Sequence, residues 1–283
     1  MKTRTMVMRT VAPVLATLAL GACATDQAAV EEVLDPRKPE LTDSAHAPTL
    51  VRLGDYTMAR GDTASAVTMY RKAHETDPGD PEPLIRLGKA LARLGSYEEA
   101  AGAYRSALSL TPGDEDALRG MANAEIALGR PQEALPSLER AVERADRDPE
   151  VRIDPLLRNS YGVALDHLGR HGEAQEQYRR ALTSRPNDLD LRTNLALSQA
   201  LEGRFDQAVA GMREVATAPG ATPKHRQNLA LVLGLAGRTD QAAEVARVDA
   251  DDATVNRNLA FFADLREIPD SGRRAAAIGE GVL

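Results

Sequence analysis

Tryptophan is missing from this 283-residue sequence, and the other aromatics are scarce: three phenylalanines and six tyrosines, 3% of the chain. Aromatic side chains normally supply the largest blocks of buried area. Without them a core rests on alanine and leucine, which favours many thin helix–helix contacts over one thick globular centre. Cysteine occurs once, at Cys23, so an intrachain disulfide is excluded and a cysteine-built zinc site lacks its ligands. Positive charge is also in deficit: 35 Lys and Arg stand against 42 Asp and Glu, a formal charge of −7. A nucleic-acid partner needs a basic face whose contacts release counterions, so composition argues against one.

The longest apolar run, Thr10 to Leu20, is about half the roughly 20 residues that span a bilayer. It follows Lys2, Arg4 and Arg9 and contains Pro13, so residues 1–22 read as a secretory signal. Loss of those three positive charges would take the formal charge from −7 to −10. Leu20-Gly21-Ala22-Cys23 then resembles the lipobox of bacterial lipoproteins. That resemblance implies cleavage after Ala22 and acylation of Cys23. Several acyl chains give a stable anchor where one is marginal. Ala24 in place of an aspartate implies the outer membrane, with the body facing the periplasm. Residues 23–46, acidic and holding two prolines, are expected to act as a flexible tether. Such a segment would span about 25–30 Å.

Beyond the tether the sequence repeats. Gly61, Gly95 and Gly129 are 34 residues apart, and so are Gly169, Gly203 and Gly237. Ala66, Ala100 and Ala134 keep the same spacing, as do Ala174, Ala208 and Ala242. Tyr70, Tyr104 and Tyr178 follow their alanines by four, and Pro78, Pro112 and Pro186 close three units. A fixed period of this length marks a stacked array in which each unit covers its neighbour. The order of small residue, glycine, alanine, aromatic, alanine and proline resembles the tetratricopeptide repeat. The resemblance covers about 220 residues and implies an all-α fold, an α-α superhelix of about six repeats. The units are 47–80, 81–114, 115–154, 155–188, 189–222 and 223–252, followed by a capping helix over 253–267. Residues 268–283 are expected to form a flexible tail, with a docking peptide as the alternative. The third unit is six residues longer, which predicts a longer loop: a hinge, a contact site or a tolerated surface insertion.

Stacked repeats present their first helices along a groove. Asn194, Asn228 and Asn258 recur in Asn-Leu-Ala triplets on that helix, with Arg192 and Arg226 before the first two. An amide offers an acceptor and two donors, which suits an extended peptide backbone; it equally suits a bond between neighbouring helices. Leu197, Leu201, Leu231 and Leu235 share the face and would serve a groove or the core. Candidate peptide-binding residues are thus Asn159, Arg192, Asn194, Leu197, Lys224, Arg226, Asn228, Leu231 and Asn258. The chaperone-type carboxylate clamp is not expected, because only Asn194 and Lys224 match it.

No catalytic, cofactor or metal site emerges. His167 and His171 have the spacing of zinc ligands on a helix, but Gly169 breaks the helix between them and no glutamate follows His167. Walker, G-x-S-x-G and dinucleotide-binding patterns are missing. Lipobox, acidic tether, six repeats and the segments 227–235 and 255–262 together resemble TadD, the repeat lipoproteins of tight-adherence (Flp) pilus machines. The resemblance implies an assembly factor whose protein partner is a secretin or another pilus component. A general periplasmic adaptor for envelope hydrolases or proteases, or a non-classical enzyme subunit, are the alternatives.

Overall fold

The computed structural model describes residues 46–148 and 150–280. Expectations placed on 1–45, Cys23 among them, and on 281–283 lie outside the described residues. Among the described residues every regular element is helical. Six hairpins follow one another: α1 (Ala47–Ala59) with α2 (Thr63–Thr76), α3 (Glu82–Arg93) with α4 (Tyr97–Leu110), and α5 (Glu115–Ala127) with α6 (Pro131–Arg147). Then come α7 (Pro155–His167) with α8 (His171–Ser184), α9 (Leu189–Leu201) with α10 (Phe205–Thr217), and α11 (Pro223–Leu235) with α12 (Thr239–Ala246). Two further helices, α13 (Asp252–Glu267) and α14 (Ser271–Glu280), complete the chain. None of these helices is long and apolar enough to cross a membrane.

Each hairpin turns by the same device. Gly95 takes φ +76°, a conformation open to glycine at no steric cost. Its N–H bonds Ala92 O at 3.0 Å, and Ser96 N–H reaches back to Leu91 O at 3.0 Å. This paired closure satisfies the orphan carbonyls at the end of a helix. It recurs at Gly61, Gly129, Gly169, Gly203 and Gly237, the six glycines of the 34-residue register. Several helix starts share a cap: Asp62, Asp114, Asp154, Asp188 and Asp251 each accept from backbone N–H groups of the following turn.

Within a hairpin the aromatic ring lies flat on a helical glycine. A Cβ at Gly54 would meet Tyr70 at 2.4 Å, one at Gly88 would meet Tyr104 at 2.8 Å, and one at Gly162 would meet Tyr178 at 2.5 Å. The last repeats change the donor of the ring: Phe262 of α13 fills the space over Gly234 of α11. Apolar packing falls into three clusters, around Tyr70 and Tyr104, around Leu138 and Tyr161, and around Met212, Leu233 and Phe262. Leu201 and Leu235 belong to the interior and not to an open groove.

The longer third unit does not simply enlarge a loop. Part of it extends α6 to 17 residues. Asp146 in that extension bonds Arg158 of α7 and Arg180 of α8, each at 2.6 Å. Burial pushes the Asp146 carboxyl up, but the Arg158 hydrogen bond and the charges of Arg158 and Arg180 hold it below its usual range. The insertion therefore clasps the next repeat through Asp146.

Glu125 is the buried carboxylate of α5. Oε1 accepts from Arg105 at 3.2 Å, and Oε2 has no partner. Burial raises its pKa. Its contribution to stability is therefore full below the unfolded value near about 4.3 and is lost as pH rises through the higher folded value. Glu125→Gln should remove that loss. Urea midpoints of wild type and variant are expected to coincide near pH 4, with the variant higher at pH 7.

Candidate functional site

The first helices of successive units touch one another, α5 on α7, α9 on α11 and α11 on α13, and so form the inner face of the array. Between α9, α11 and α13 this face opens into a cavity of about 190 Å³. Asn194 and Leu197 enter it from α9, and Lys224, Asn228 and Leu231 from α11. Five of the nine residues expected from sequence thus line one cavity. Asn159 stands beside it on α7, where its side-chain oxygen accepts from the Asn194 amide at 2.8 Å. For this pair the inter-helix bond is realised, while Asn194 still borders the cavity.

The remaining three sit elsewhere. Arg192 pairs with Glu214 of α10. Arg226 forms a two-pronged pair with Asp249 at 2.7 and 2.6 Å. Arg192 thus braces the second helix of its own repeat, and Arg226 the turn that follows the second helix of its own, because their position on the first helix turns toward the second. Asn258 is buried in α13, and Phe261, one turn further, takes the cavity-facing place. Thr193, Gln227 and Phe261 line the cavity without having been expected. Phe261 carried a signal in its rarity, since it is one of three phenylalanines.

The C-terminal segment departs most from expectation. Residues 271–280 are not a tail: they form α14, which packs on α7 and α9. Ile278 and Gly279 close one end of the cavity. Its glycines and alanines suggest no helix by hydropathy, but Asp270 caps it by accepting from Arg273 N–H at 2.7 Å. Arg274 ties it to the end of α13, donating to Leu265 O at 3.0 Å and Ile268 O at 2.5 Å.

Next to this face the interior is polar. Asp166 Oδ1 receives Ser198 Oγ and His171 Nδ1, each at 2.7 Å, and Oδ2 receives Tyr178 OH at 2.9 Å. A carboxylate only accepts, so His171 Nδ1 bears its proton. Burial, and then the Asp166 charge, push the Tyr178 phenol well above its ordinary value. The serine bonds the aspartate and the backbone carbonyl of His171 but not the imidazole, so this knot is no nucleophile–base pair. It binds α7, α8 and α9 together. No group of three or more His, Cys, Asp or Glu suited to a metal occurs among the described residues.

A second cavity, of about 320 Å³, lies between α3 and α5 with Arg86, Lys89 and Arg119 on its wall. Its guanidinium groups are taken: Arg86 by Glu82 and Asp55, Arg119 by Asp116 and Asp154. That leaves a mixed, solvated face and not an anion site.

A stack of helical hairpins with a lined inner face defines the class: a helical-repeat scaffold for protein–protein interaction. Three family models, each described as tetratricopeptide repeat, match residues 51–115 and 162–224, 93–153, and 225–247. The chain belongs to the tetratricopeptide-repeat proteins. Among solved structures it is similar to a tetratricopeptide repeat protein from Parabacteroides merdae, with TM-score 0.62 and 18% identity over 84% of this chain and 89% of that one. It is similar to PilW, a widely conserved type IV pilus biogenesis factor, with TM-score 0.61 and 18% identity over 70% and 90%. MamA from Desulfovibrio magneticus gives TM-score 0.52 and 22% identity over 62% and 95%. At these identities the likeness is one of fold. A 49-residue stretch is 49% identical to the uncharacterised protein y4yS of Sinorhizobium fredii, 17% of this chain. The chain spans about a quarter of that relative, 27% of its length.

Proposed function

We propose that this protein is a TadD-like outer-membrane lipoprotein, anchored through Cys23, that captures a segment of a secretin or other pilus component in the groove of α7 to α13. The observation that carries the reading is the cavity between α9 and α11, where Asn194, Asn228 and Lys224 stand beside Leu197 and Leu231. Amide donors and acceptors next to an apolar strip suit a peptide segment, whose polar groups need hydrogen bonds and whose apolar side chains need burial. The lipobox supplies the membrane end of the reading. PilW, of similar fold, is described as a pilus biogenesis factor, which is consistent with a pilus role.

The test is the amount of outer-membrane secretin multimer in a strain lacking the gene. Wild type should restore it; Cys23→Ser, and Asn194→Ala with Asn228→Ala, should not, while the latter keeps its helical circular dichroism. A multimer level unaffected by loss of the gene would overturn the secretin role.

A further inference from the structure

One end of the groove already holds a helix, seated on α7 and α9, and that helix belongs to the same chain. We propose that α14 is an intramolecular ligand of the groove, and that the partner which binds there is a short helix with a small-residue face that displaces it. This rests on the groove being the binding surface.

The contact explains the composition of α14. Gly272 is buried, and a Cβ there would lie 2.6 Å from His167 O and 3.0 Å from Gly169 N. No larger residue fits at that point. Ala275 follows one turn on, 7% exposed. A Cβ at Gly279 would lie 3.7 Å from the His167 ring. Gly272, Ala275 and Gly279 share one helical face, and that face rests on α7.

The seat is thin. Glycine and alanine bury little apolar area, and hydrophobic stabilisation scales with that area. Ile278 is only half-buried against the C-terminal core. The cavity also continues past Ile278 and Gly279, where Lys224 is exposed and Asn228 half-buried. A partner helix with the same small-residue face but one or two turns longer would keep every contact of α14 and add these. That is the chemistry of a competitor. A protein whose binding-competent state is partly closed shows an apparent affinity reduced by the closed fraction.

The test uses the full chain carrying Gly272→Leu, which evicts α14 without touching a groove residue. Amide hydrogen exchange over 271–280 reports the eviction. The probe is a fluorescein-labelled peptide with the sequence of residues 268–280. We expect the variant to bind it at least tenfold more tightly than wild type, and the same peptide with leucine at the Gly272 position to bind neither. If Gly272→Leu lowers the overall helicity, Ala275→Arg opens the same contact. An evicted α14 with no gain in peptide binding would overturn the inference. So would protection of α14 unchanged in both variants, or a wild-type chain that exchanges α14 with a second copy and dimerises as concentration rises. Peptide capture by the variant alongside an unaffected secretin would remove the proposed pilus role and leave the cis-ligand standing.

Discussion

Asp166→Ala is expected to lower stability by about 3–5 kcal/mol, the range for removing one member of a buried charged cluster. Three donors converge on this carboxylate, from His171, Tyr178 and Ser198, and all three side chains are buried. Removing the acceptor strands the His171 and Tyr178 donors and leaves Ser198 Oγ only its long 3.4 Å bond to His171 O; each stranded group costs on the order of 1–3 kcal/mol. His171 Nε2 has no partner already, so its ring has no second bond to fall back on. Loss of a buried charge offsets part of the sum. Asp166→Asn should lose roughly half as much, since its amide keeps one acceptor and offers hydrogens where donors already point. The effect should be local, because each unit of a repeat array leans on its neighbours alone. Hydrogen exchange should show protection falling first in α7, α8 and α9. Equal loss along the whole array would argue that the knot is not a junction.

Gly162→Val is expected to cost about 3 kcal/mol through overpacking and the loss of one hydrogen bond. The new Cβ would lie 2.5 Å from Tyr178, whose ring is 1% exposed. The ring cannot swing aside without breaking its 2.9 Å bond to Asp166. Gly102 of α4 provides the contrast, since a Cβ there meets nothing within 4 Å. Gly102→Ala should gain about 0.5–1 kcal/mol, the ordinary benefit of alanine over glycine inside a helix. Opposite signs for the two glycines, read from denaturant midpoints, would establish that Gly162 is kept for the ring.

The repeat was legible because its physics is local and periodic. Glycine at each hairpin turn, alanine and tyrosine at fixed offsets, and aspartate before several of the helices all carry their conformational reason within a few residues. The cavity was half legible. Asn194, Leu197, Lys224, Asn228 and Leu231 follow from the helix phase, but Arg192 and Arg226 lie on its edge. Whether an edge residue faces the groove or the paired helix depends on a partner such as Glu214 or Asp249. Those partners sit 22 and 23 residues away, and no single-helix pattern announces them. The polar knot was hidden for the same reason. His167 and His171 drew notice for their spacing, yet the bond that matters joins His171 to an aspartate before the turn and a serine 27 residues later. The C-terminal helix was missed because small residues signal neither core nor surface.

Most of this array is ordered by neighbours, so its parts can form in the order in which they are made. The seat of α14 on α7 is different, because Ser271 lies beside Gly169, about 100 residues earlier in the chain. A ribosome adds roughly 5–20 residues per second, N-terminus first. The residues of α7 and α9 are therefore made some seconds before the segment that covers them. Wherever the chain folds from its N-terminus, that face forms before its cover arrives, and the distance along the chain between a surface and its own cover sets the length of the interval.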